Sequence, residues 1–288
     1  MADEKTQTEQ TPEDCGGSCS SCGVEGCGSR TTGAPAPSFA PNARSDIKKV
    51  IAIVSGKGGV GKSLVTSLIA AELTRQGKKV AILDADVTGP SIPKAFGVTD
   101  RPSADEDGII PIETPSGIKM MSVNLMLPAD DVPVAWRGPV ITGILQQFYG
   151  ETSWGDIDVM LIDMPPGTSD VFLTVMQMFN IDGIVTVSAP QELVSMIVGK
   201  AVNLAHNMDV PVIGLVENMA YYKCDDCGKE HHIFGEPQAE KVAAKYDIEA
   251  VAQLPINPDF AAQVDAGKVE NIAIEAALEP IIAAIEKA

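Results

Sequence analysis

The stretch VSGKGGVGKS, residues 54–63, decides the fold. Its segment Gly56–Ser63 fits the pattern G-x-x-x-x-G-K-[ST], in which glycines let the backbone wrap around phosphates with its N–H groups pointing inward. The apolar run KVIAIVS precedes it and a helix-like segment follows from Lys62, which is the strand–loop–helix context that this motif requires. The stretch therefore predicts a phosphate-binding loop, formed by Gly56, Lys57, Gly58, Gly59, Val60, Gly61, Lys62 and Ser63.

Two positions of this loop have the residue types that nucleotide chemistry needs. We expect Lys62 to reach the β- and γ-phosphates and Ser63 to hold Mg²⁺. Lys57 is a second lysine that an ordinary loop of this kind does not need, and its plainest interpretation is a solvated loop residue. A glycine-rich turn without a ligand is the alternative for the whole stretch, and the strand and helix around it argue against that alternative.

Apolar strand-like runs alternate with helical lengths from about residue 48 onward. The clearest runs after the loop are KVAILDAD, DVMLIDM, DGIVTVSA and VPVIGLVENM, and the helical lengths are 62–76, 139–149, 170–179 and 192–207. This alternation predicts an α/β fold with a doubly wound, mainly parallel sheet. In such sheets the chemistry lies at the carboxyl ends of the strands.

Composition restricts the partners and the compartment. The formal net charge of -18 disfavours nucleic acid and anionic lipid as partners. No stretch approaches the ~20 apolar residues of a membrane helix, and the polar start MADEKTQTEQTPED has no apolar core of a secretory signal. We therefore expect a cytoplasmic protein without a membrane partner, whose six cysteines stay reduced and are candidate metal ligands or redox groups.

The chain divides into three regions. Residues 1–27 form a cysteine-rich N-terminal segment, and residues 28–45 are predicted to be a flexible linker because their prolines oppose regular structure. Residues 46–288 carry the phosphate loop and the alternating elements, so they are predicted to form the nucleotide-binding domain.

Aspartates follow two of the predicted strands. Asp84 and Asp86 end KVAILDAD, and Asp163 ends the run before a Pro-Gly loop that contains Gly167. Asp163 has the character of a carboxylate that binds Mg²⁺ through water, and the loop after it can sense a γ-phosphate. A turn or helix-capping role is the alternative for each aspartate, and it competes most strongly at Asp84.

Cys224 and Cys227 form CDDC in a predicted loop after VPVIGLVENM. Two thiolates cannot complete a four-ligand metal site. A second subunit could donate its own pair, His231 and His232 could supply nitrogen ligands for zinc, or the pair could be a redox dithiol. Adjacent histidines point in different directions, so a plain surface role is the default for both.

Four further cysteines lie within the N-terminal segment. Their spacing of x₃, x₂ and x₄ lets one compact loop wrap a single cluster, and the glycines around them favour tight wrapping. Zinc is an alternative, although structural zinc sites usually separate two cysteine pairs by a longer excursion, and disulfides are disfavoured in the cytoplasm. The predicted ligands are Cys15, Cys19, Cys22 and Cys27.

The loop with its extra lysine, KGGVGKS, resembles the deviant Walker A motif of the MinD/ParA/ArsA group of P-loop ATPases. The motifs DADVTGPSIPKAFG, WRGP, LIDMPPGTSD, ENMAYYKCDDCG, IFGE and LPINP together resemble the Mrp-type (ApbC-like) iron–sulfur cluster carriers over about residues 48–270. Some of these carriers have an N-terminal cysteine cluster and many lack one.

This resemblance implies a function and a set of roles. The protein would be a homodimer that binds ATP and Mg²⁺, bridges a [4Fe–4S] cluster through Cys224 and Cys227 of both subunits, and transfers it to apo iron–sulfur proteins. Lys57 would reach across the dimer to the partner's phosphates, Asp86 would orient or activate the attacking water, and Asn218 would bind adenine. No N-K-x-D guanine motif occurs in the chain, which also favours ATP over GTP.

A positioning or partition ATPase with a structural zinc site is the main rival interpretation. Such proteins dock on DNA or membrane, whereas the C-terminal stretch EAALEPIIAAIEKA is net acidic and interrupted by Pro280. That rival leaves the cysteines without a common explanation. A nitrogenase-reductase-like electron donor would need two cysteines far apart in each subunit, and within residues 46–288 the two cysteines are only three positions apart.

Overall fold

The computed structural model describes residues 39–86, 89, 91–127, 138–167, 170–190 and 194–288. The N-terminal segment and the first part of the predicted linker lie outside these residues. The strands are β1 (Ser45–Ile47), β2 (Val50–Ser55), β3 (Val80–Asp84), β4 (Ser103–Asp105), β5 (Gly108–Ile110), β6 (Ile112–Glu113), β7 (Lys119–Ser122), β8 (Gly155–Ile157), β9 (Val159–Asp163), β10 (Gly183–Ser188), β11 (Val212–Lys223), β12 (Glu230–His231) and β13 (Ala250–Pro255).

The helices connect most of these strands. They are α1 (Lys62–Arg75), α2 (Ile92–Ala95), α3 (Gly138–Gly150), α4 (Asp170–Met178), α5 (Val194–Asn207), α6 (Ala239–Tyr246), α7 (Pro258–Asp265) and α8 (Glu275–Lys287). Of the helices that the structure describes, none combines the length and the apolar character that crossing a bilayer requires.

The main sheet has nine strands in the order β12-β11-β10-β2-β9-β3-β7-β6, with β13 paired to β11. The strands from β11 to β7 run parallel, as does β13, and only β12 and β6 at the edges pair antiparallel. The predicted α/β fold with a mainly parallel sheet is therefore confirmed. Since β2 lies in the middle of the sheet, the phosphate loop at its carboxyl end has a strand end on either side.

Each face of the sheet is covered by helices, and the central strand shows why. Along β2, Ile51 and Ile53 point into one core with α1 and α8, while Val50, Ala52 and Val54 point into a second core with α3, α4 and α5. Successive side chains of a strand point to opposite faces, so a strand buried on both faces is apolar throughout. This explains the uninterrupted run KVIAIVS.

The last part of the predicted linker lies on the domain. The Phe39 backbone N–H donates to the Met178 carbonyl at 2.8 Å. The Ser45 hydroxyl donates to the Thr152 carbonyl at 3.1 Å and accepts from the Trp154 N–H at 2.9 Å, and β1 pairs with β8. The boundary predicted at residue 46 therefore needs correction, because residues 39–45 belong to the folded domain.

Deleting residues 1–38 is expected to shift the melting temperature of the domain by less than about two degrees, whereas deleting residues 1–47 should lower it clearly. The longer deletion removes β1 and its hydrogen bonds. It also removes the Phe39 bond to Met178 and the two bonds of the Ser45 hydroxyl, and at about 1 kcal/mol for each of these three bonds the loss corresponds to roughly 6–12 °C for a domain of this size. Differential scanning calorimetry of both truncations measures the difference, and equal melting temperatures would show that β1 contributes nothing to stability.

Candidate functional site

The phosphate loop runs from the end of β2 to the start of α1. Gly59 and Gly61 both have φ of 80°, which is a left-handed conformation that glycine adopts without strain. Space is open where a Cβ on Gly59 would be. Helix α1, which the structure describes completely, follows the N-cap residue Gly61 and has neither a side-chain cap nor an acidic residue in its first turn. An uncapped helix start beside a glycine loop suits a bound phosphate. Lys57 is half-buried in this loop.

Lys62 lies at the centre of a buried charge cluster. Its ammonium is 2.7 Å from an Asp163 carboxylate oxygen and 3.6 Å from an Asp86 carboxylate oxygen, and its side chain is 5% exposed. A buried cation of this kind needs anionic partners, and here they come from the ends of two neighbouring strands. The loop lysine and both predicted aspartates therefore share one site.

Asp163 connects the loop to the first turn of α1. Its carboxylate accepts hydrogen bonds from the Ser63 hydroxyl at 2.6 Å and from the Thr66 hydroxyl at 2.7 Å, while it also pairs with Lys62. The predicted Mg²⁺ ligand Ser63 and the predicted Mg²⁺-associated carboxylate Asp163 are thus in direct contact. Thr66 is a member of the site that the sequence motif does not include.

Asp84 is buried below this cluster, with 1% exposure. It is the register partner of Asp163 in the parallel pair of β3 and β9, and it accepts hydrogen bonds from the Ser122 hydroxyl at 2.9 Å and the Asp86 N–H at 3.1 Å. Burial, followed by the negative charge of Asp163, raises the pKa of Asp84 to about 8. These contacts fit the alternative role of Asp84 in a turn, because the hydrogen bond from the Asp86 N–H to the Asp84 carboxylate holds Asp86 in place.

Replacing Asp84 with asparagine is expected to stabilise the nucleotide-free protein increasingly as the pH rises. The pKa of Asp84 is about 8 in the folded protein and 3.8 in a model peptide, so its stabilising contribution is complete below the lower value and is lost as the pH rises through the upper one. Asparagine carries no charge, and the Ser122 hydroxyl can turn to accept from its amide. The gain in free energy of unfolding should grow by up to a few kcal/mol between about pH 6 and about pH 8.5.

Urea unfolding at the two pH values measures this gain. Asp158→Asn is the matched control, because hydrogen bonding from Lys48 lowers the pKa of the half-buried Asp158 carboxyl. It should show no gain at the higher pH. A difference between Asp84→Asn and the parent that does not vary with pH would contradict a raised pKa at Asp84.

The Pro-Gly loop lies against the phosphate loop. The Gly167 N–H donates to the Ser55 carbonyl at 2.8 Å, and Gly167 has φ of 81°. The Pro166 ring is 3.9 Å from the place where a Cβ on Gly58 would be. A shift of either loop would therefore change the contacts of the other.

Asn218 lies beneath the phosphate loop. It is 3% exposed, and its amide donates to the Val60 carbonyl at 3.0 Å. The sequence does not indicate this contact. The contact with adenine that the family resemblance implies for Asn218 stays a prediction.

The cysteine pair is in a short hairpin at the outer end of β11. Tyr222 and Lys223 pair with β12, the Cys224 N–H donates to the Lys229 carbonyl at 2.9 Å, and the Gly228 N–H donates to the Cys224 carbonyl at 2.8 Å. Backbone N–H groups of Cys227 and Asp226 donate toward the Cys224 sulfur and lower the pKa of that thiol. Cys224 is half-buried and Cys227 is exposed, so the turn presents two thiols at the surface.

The nearby histidines do not join the cysteines. The Nδ1 of His232 is 3.2 Å from the Ala220 carbonyl and its Nε2 is 3.7 Å from a Glu236 carboxylate, while His231 is exposed on β12. Among the described residues, no group of three or more His, Cys, Asp or Glu side chains is placed to hold a metal ion. Cys15, Cys19, Cys22 and Cys27 lie outside the part of the chain that the structure describes.

A glycine loop between a buried strand and a helix, with a lysine facing carboxylates on the adjacent strand ends, defines a P-loop NTPase. The ParA family model, described as NUBPL iron-transfer P-loop NTPase, matches residues 46–287, and the chain belongs to this family. The resemblance to iron–sulfur cluster carriers of the MinD/ParA type is thereby confirmed.

Relatives with assigned names cover most of the chain. An iron-sulfur cluster carrier protein of Clostridium perfringens is 44% identical over 279 residues, which is 92% of this chain and 98% of the relative. Another of the same name, from Methanocaldococcus jannaschii, is 46% identical over 215 residues, which is 74% of each chain.

Solved structures agree with the fold. A nucleotide-binding protein of Archaeoglobus fulgidus in complex with ADP superimposes with a TM-score of 0.72 at 44% identity, covering 79% of this chain and 90% of that one. The cell division ATPase MinD of Pyrococcus furiosus has a TM-score of 0.59 at 20% identity, covering 83% of this chain and 98% of its own, and shows the likeness of fold alone.

Proposed function

We propose that this protein is an ATP-dependent carrier that holds a [4Fe–4S] cluster between two subunits and transfers it to apo iron–sulfur proteins in the cytoplasm. The observation that supports it most is the course of β11. This one strand carries Asn218 beneath the phosphate loop and leads directly into the turn of Cys224 and Cys227. Relatives at 44% and 46% identity are named iron-sulfur cluster carrier proteins.

The residues around the phosphate loop fit Mg-ATP. The N–H groups of the loop and the start of α1 would hold the phosphates, with Lys62 on the β/γ side. Ser63 would bind Mg²⁺, and Asp163, which already contacts the Ser63 hydroxyl, would act on the ion through water. When bound, Mg-ATP supplies the phosphoryl group that water attacks.

Two residues have roles in hydrolysis. Asp86 lies 3.6 Å from the Lys62 ammonium at the same strand ends, where it can orient the attacking water. Lys57 is half-buried in the loop, and it would reach the phosphates bound by a partner subunit. Gly167, whose N–H is bonded to the carbonyl at the end of β2, places the loop that would respond to the γ-phosphate.

The cluster is the cargo of this site. Each chain supplies Cys224 and Cys227, so four thiolates require two copies related by a two-fold axis. The lowered pKa of Cys224 favours the thiolate that binds iron. On the same hairpin excursion, Ile233 and Phe234 are 60% and 46% exposed, which suits a surface that a second subunit covers.

The cysteines of the N-terminal segment form a second proposed site. Cys15, Cys19, Cys22 and Cys27 have the number and the compact spacing to hold a cluster within one chain.

The proposed function predicts a brown protein after anaerobic purification, with iron and sulfide in equal amounts and little zinc. Ultraviolet–visible and electron paramagnetic resonance spectra, with iron, sulfide and zinc measured per chain, provide the test. Transfer of the cluster to an apo iron–sulfur enzyme should restore that enzyme's activity and depend on ATP. Stoichiometric zinc without sulfide would refute the carrier function and favour a structural metal.

A further inference from the structure

Asn218 contacts the phosphate loop at Val60 and Gly61. Its amide donates to Val60, the residue between Gly59 and Gly61. A Cβ on Gly61 would be 2.2 Å from the Asn218 amide nitrogen and 4.0 Å from the Met219 methyl group. The Asn218 amide thus occupies the space that a side chain at Gly61 would fill, and it is hydrogen-bonded to Val60. A shift of Val60 and Gly61 therefore either displaces the Asn218 side chain or breaks this hydrogen bond.

The strand that carries Asn218 changes course at the next residue. Met219 has φ of 58°, which is uncommon for a residue other than glycine, and the pairing of β11 with β13 shifts register between Glu217 and Tyr221. The strand therefore has an inner part within the parallel sheet and an outer part that leads to the cysteines.

Each part of β11 has its own anchors. The inner part is fixed at Glu217, whose buried carboxylate accepts from the N–H groups of Gln238 and Ala239 at the start of α6. The outer part is fixed at Tyr221, whose carbonyl accepts from the Ile256 N–H at 2.6 Å. Asn218 and Met219 lie between these anchors, where a small displacement can change the direction of the outer part.

We propose that Asn218 couples the two sites: the loop movement that accompanies nucleotide binding is passed through the Asn218 amide and the turn at Met219 to Cys224 and Cys227. Asn218 acts here as a positioning residue. The inference rests on the proposed function, since it takes nucleotide at the loop and metal at the cysteines. Binding of phosphates draws the loop N–H groups and Lys62 toward the ligand, and the Val60 carbonyl turns with them, pulling on Asn218. Such coupling is reciprocal, so a metal at the cysteines changes nucleotide affinity by the same factor.

The test uses the reactivity of the two thiols and needs no cluster. Replacing Cys15, Cys19, Cys22 and Cys27 with serine leaves Cys224 and Cys227 as the only cysteines among the six in the chain. In this background, saturating Mg-ADP is expected to change the rate of alkylation by iodoacetamide by about fivefold or more, as followed by mass spectrometry. Asn218→Ala should lose this change when each protein is compared at an Mg-ADP concentration that calorimetry shows to saturate it.

Asn42→Ala is the matched control. Its amide also donates to a backbone carbonyl, that of Asp107 at 2.9 Å, but belongs to the segment before β1, away from the loop. It should respond to Mg-ADP like the parent. A response of Asn218→Ala equal to the parent's would overturn the coupling, as would a parent that binds Mg-ADP without any change in alkylation rate.

Met219→Gly keeps the inference testable if Asn218→Ala does not fold. Glycine adopts the φ of this position without strain, so the variant should fold, and it loosens the joint between the two parts of β11. The Mg-ADP effect on alkylation should fall to less than about half of the parent's, and an undiminished effect would overturn the proposal. Absence of a cluster in the purified protein would refute the proposed carrier function while leaving this result intact.

Discussion

Lys57→Ala should bind ATP with nearly parental affinity and hydrolyse it about a thousandfold more slowly. The reason is the difference between the two loop lysines. Lys62 pairs with Asp163 at 2.7 Å, at the site proposed to hold the phosphates. A cation that arrives from the partner subunit stabilises charge developing in the transition state, so its loss reduces turnover more than binding. Isothermal titration calorimetry and phosphate release measure the two quantities.

Lys62→Gln should also lose hydrolysis, but through binding, because its affinity for nucleotide should be weakened by about a hundredfold or more. The substitution leaves Asp163 and Asp86 beside a neutral side chain, and a buried carboxylate that loses its cation is destabilised. The melting temperature must therefore be followed together with binding. Lys48→Ala is the control for removal of a lysine, since Lys48 pairs with Asp158 and its side chain is 61% exposed.

Mixing the two loop variants tests whether Lys57 acts across the dimer. A Lys57→Ala subunit can bind ATP, and a Lys62→Gln subunit can supply an intact Lys57. If Lys57 acts in trans, the mixture should recover part of the parental hydrolysis that each variant alone has lost. A mixture that forms mixed dimers yet stays inactive would place the action of Lys57 within its own subunit, and parental hydrolysis by Lys57→Ala alone would remove its catalytic role.

The sheet and the phosphate loop could be predicted because their signals are local. A strand buried on both faces is apolar throughout, and KVIAIVS is such a run. The loop motif fixes its own context, a strand before it and a helix after it. The predicted helix at 170–179 corresponds to α4 (Asp170–Met178), and the one at 139–149 to α3 (Gly138–Gly150).

Contacts between distant segments could not be read from the sequence. Thr66 reaches Asp163 across 97 positions, and Ser122 reaches Asp84 across 38. The contact of Ser122 with Asp84 follows from the register of the parallel strands β3 and β7, and no local pattern reports register between strands so far apart. The contact of Thr66 with Asp163 follows from the packing of α1 on β9, which no local pattern reports either.

Asn218 shows a different limit. The sequence places it at the nucleotide site, but its contact with the Val60 carbonyl lies beside a turn at Met219. Methionine rarely adopts a positive φ, so the sequence does not predict that β11 turns at this residue. The N-terminal boundary is a similar case, because the prolines of residues 28–45 indicate irregular structure without indicating that its last part packs on the domain.

Cys224→Ser and Cys227→Ser should each abolish the cluster shared between subunits. The background is the variant in which Cys15, Cys19, Cys22 and Cys27 are serine, so that only one site remains. After anaerobic reconstitution, native mass spectrometry should find a dimer with one [4Fe–4S] cluster in this background and no cluster after either further substitution. The loss should be complete, because a two-fold axis removes two of the four ligands with every single substitution.

Loading the cluster should also drive dimer formation. The formal net charge of each chain is -18, so two copies repel one another, and ligands shared across the interface supply free energy that offsets this repulsion. The dimer should therefore be more populated with the cluster than without it, and added salt should favour it further by screening. A chelator should remove this cluster faster than one enclosed in a single chain, because separation of the subunits exposes it.

The double variant His231→Ala/His232→Ala decides between a shared cluster and zinc within one chain. His232 contacts the Ala220 carbonyl and Glu236, and His231 is exposed, so neither is needed if the ligands are four cysteines from two subunits. The variant should retain the dimer and its cluster in full. If zinc is instead held by Cys224, Cys227 and a histidine of the same chain, the double variant should lose its metal, and the parent should appear as a monomer carrying one zinc. That result would remove the basis for a bridging cluster, because a site completed within one subunit leaves no ligand position for the partner.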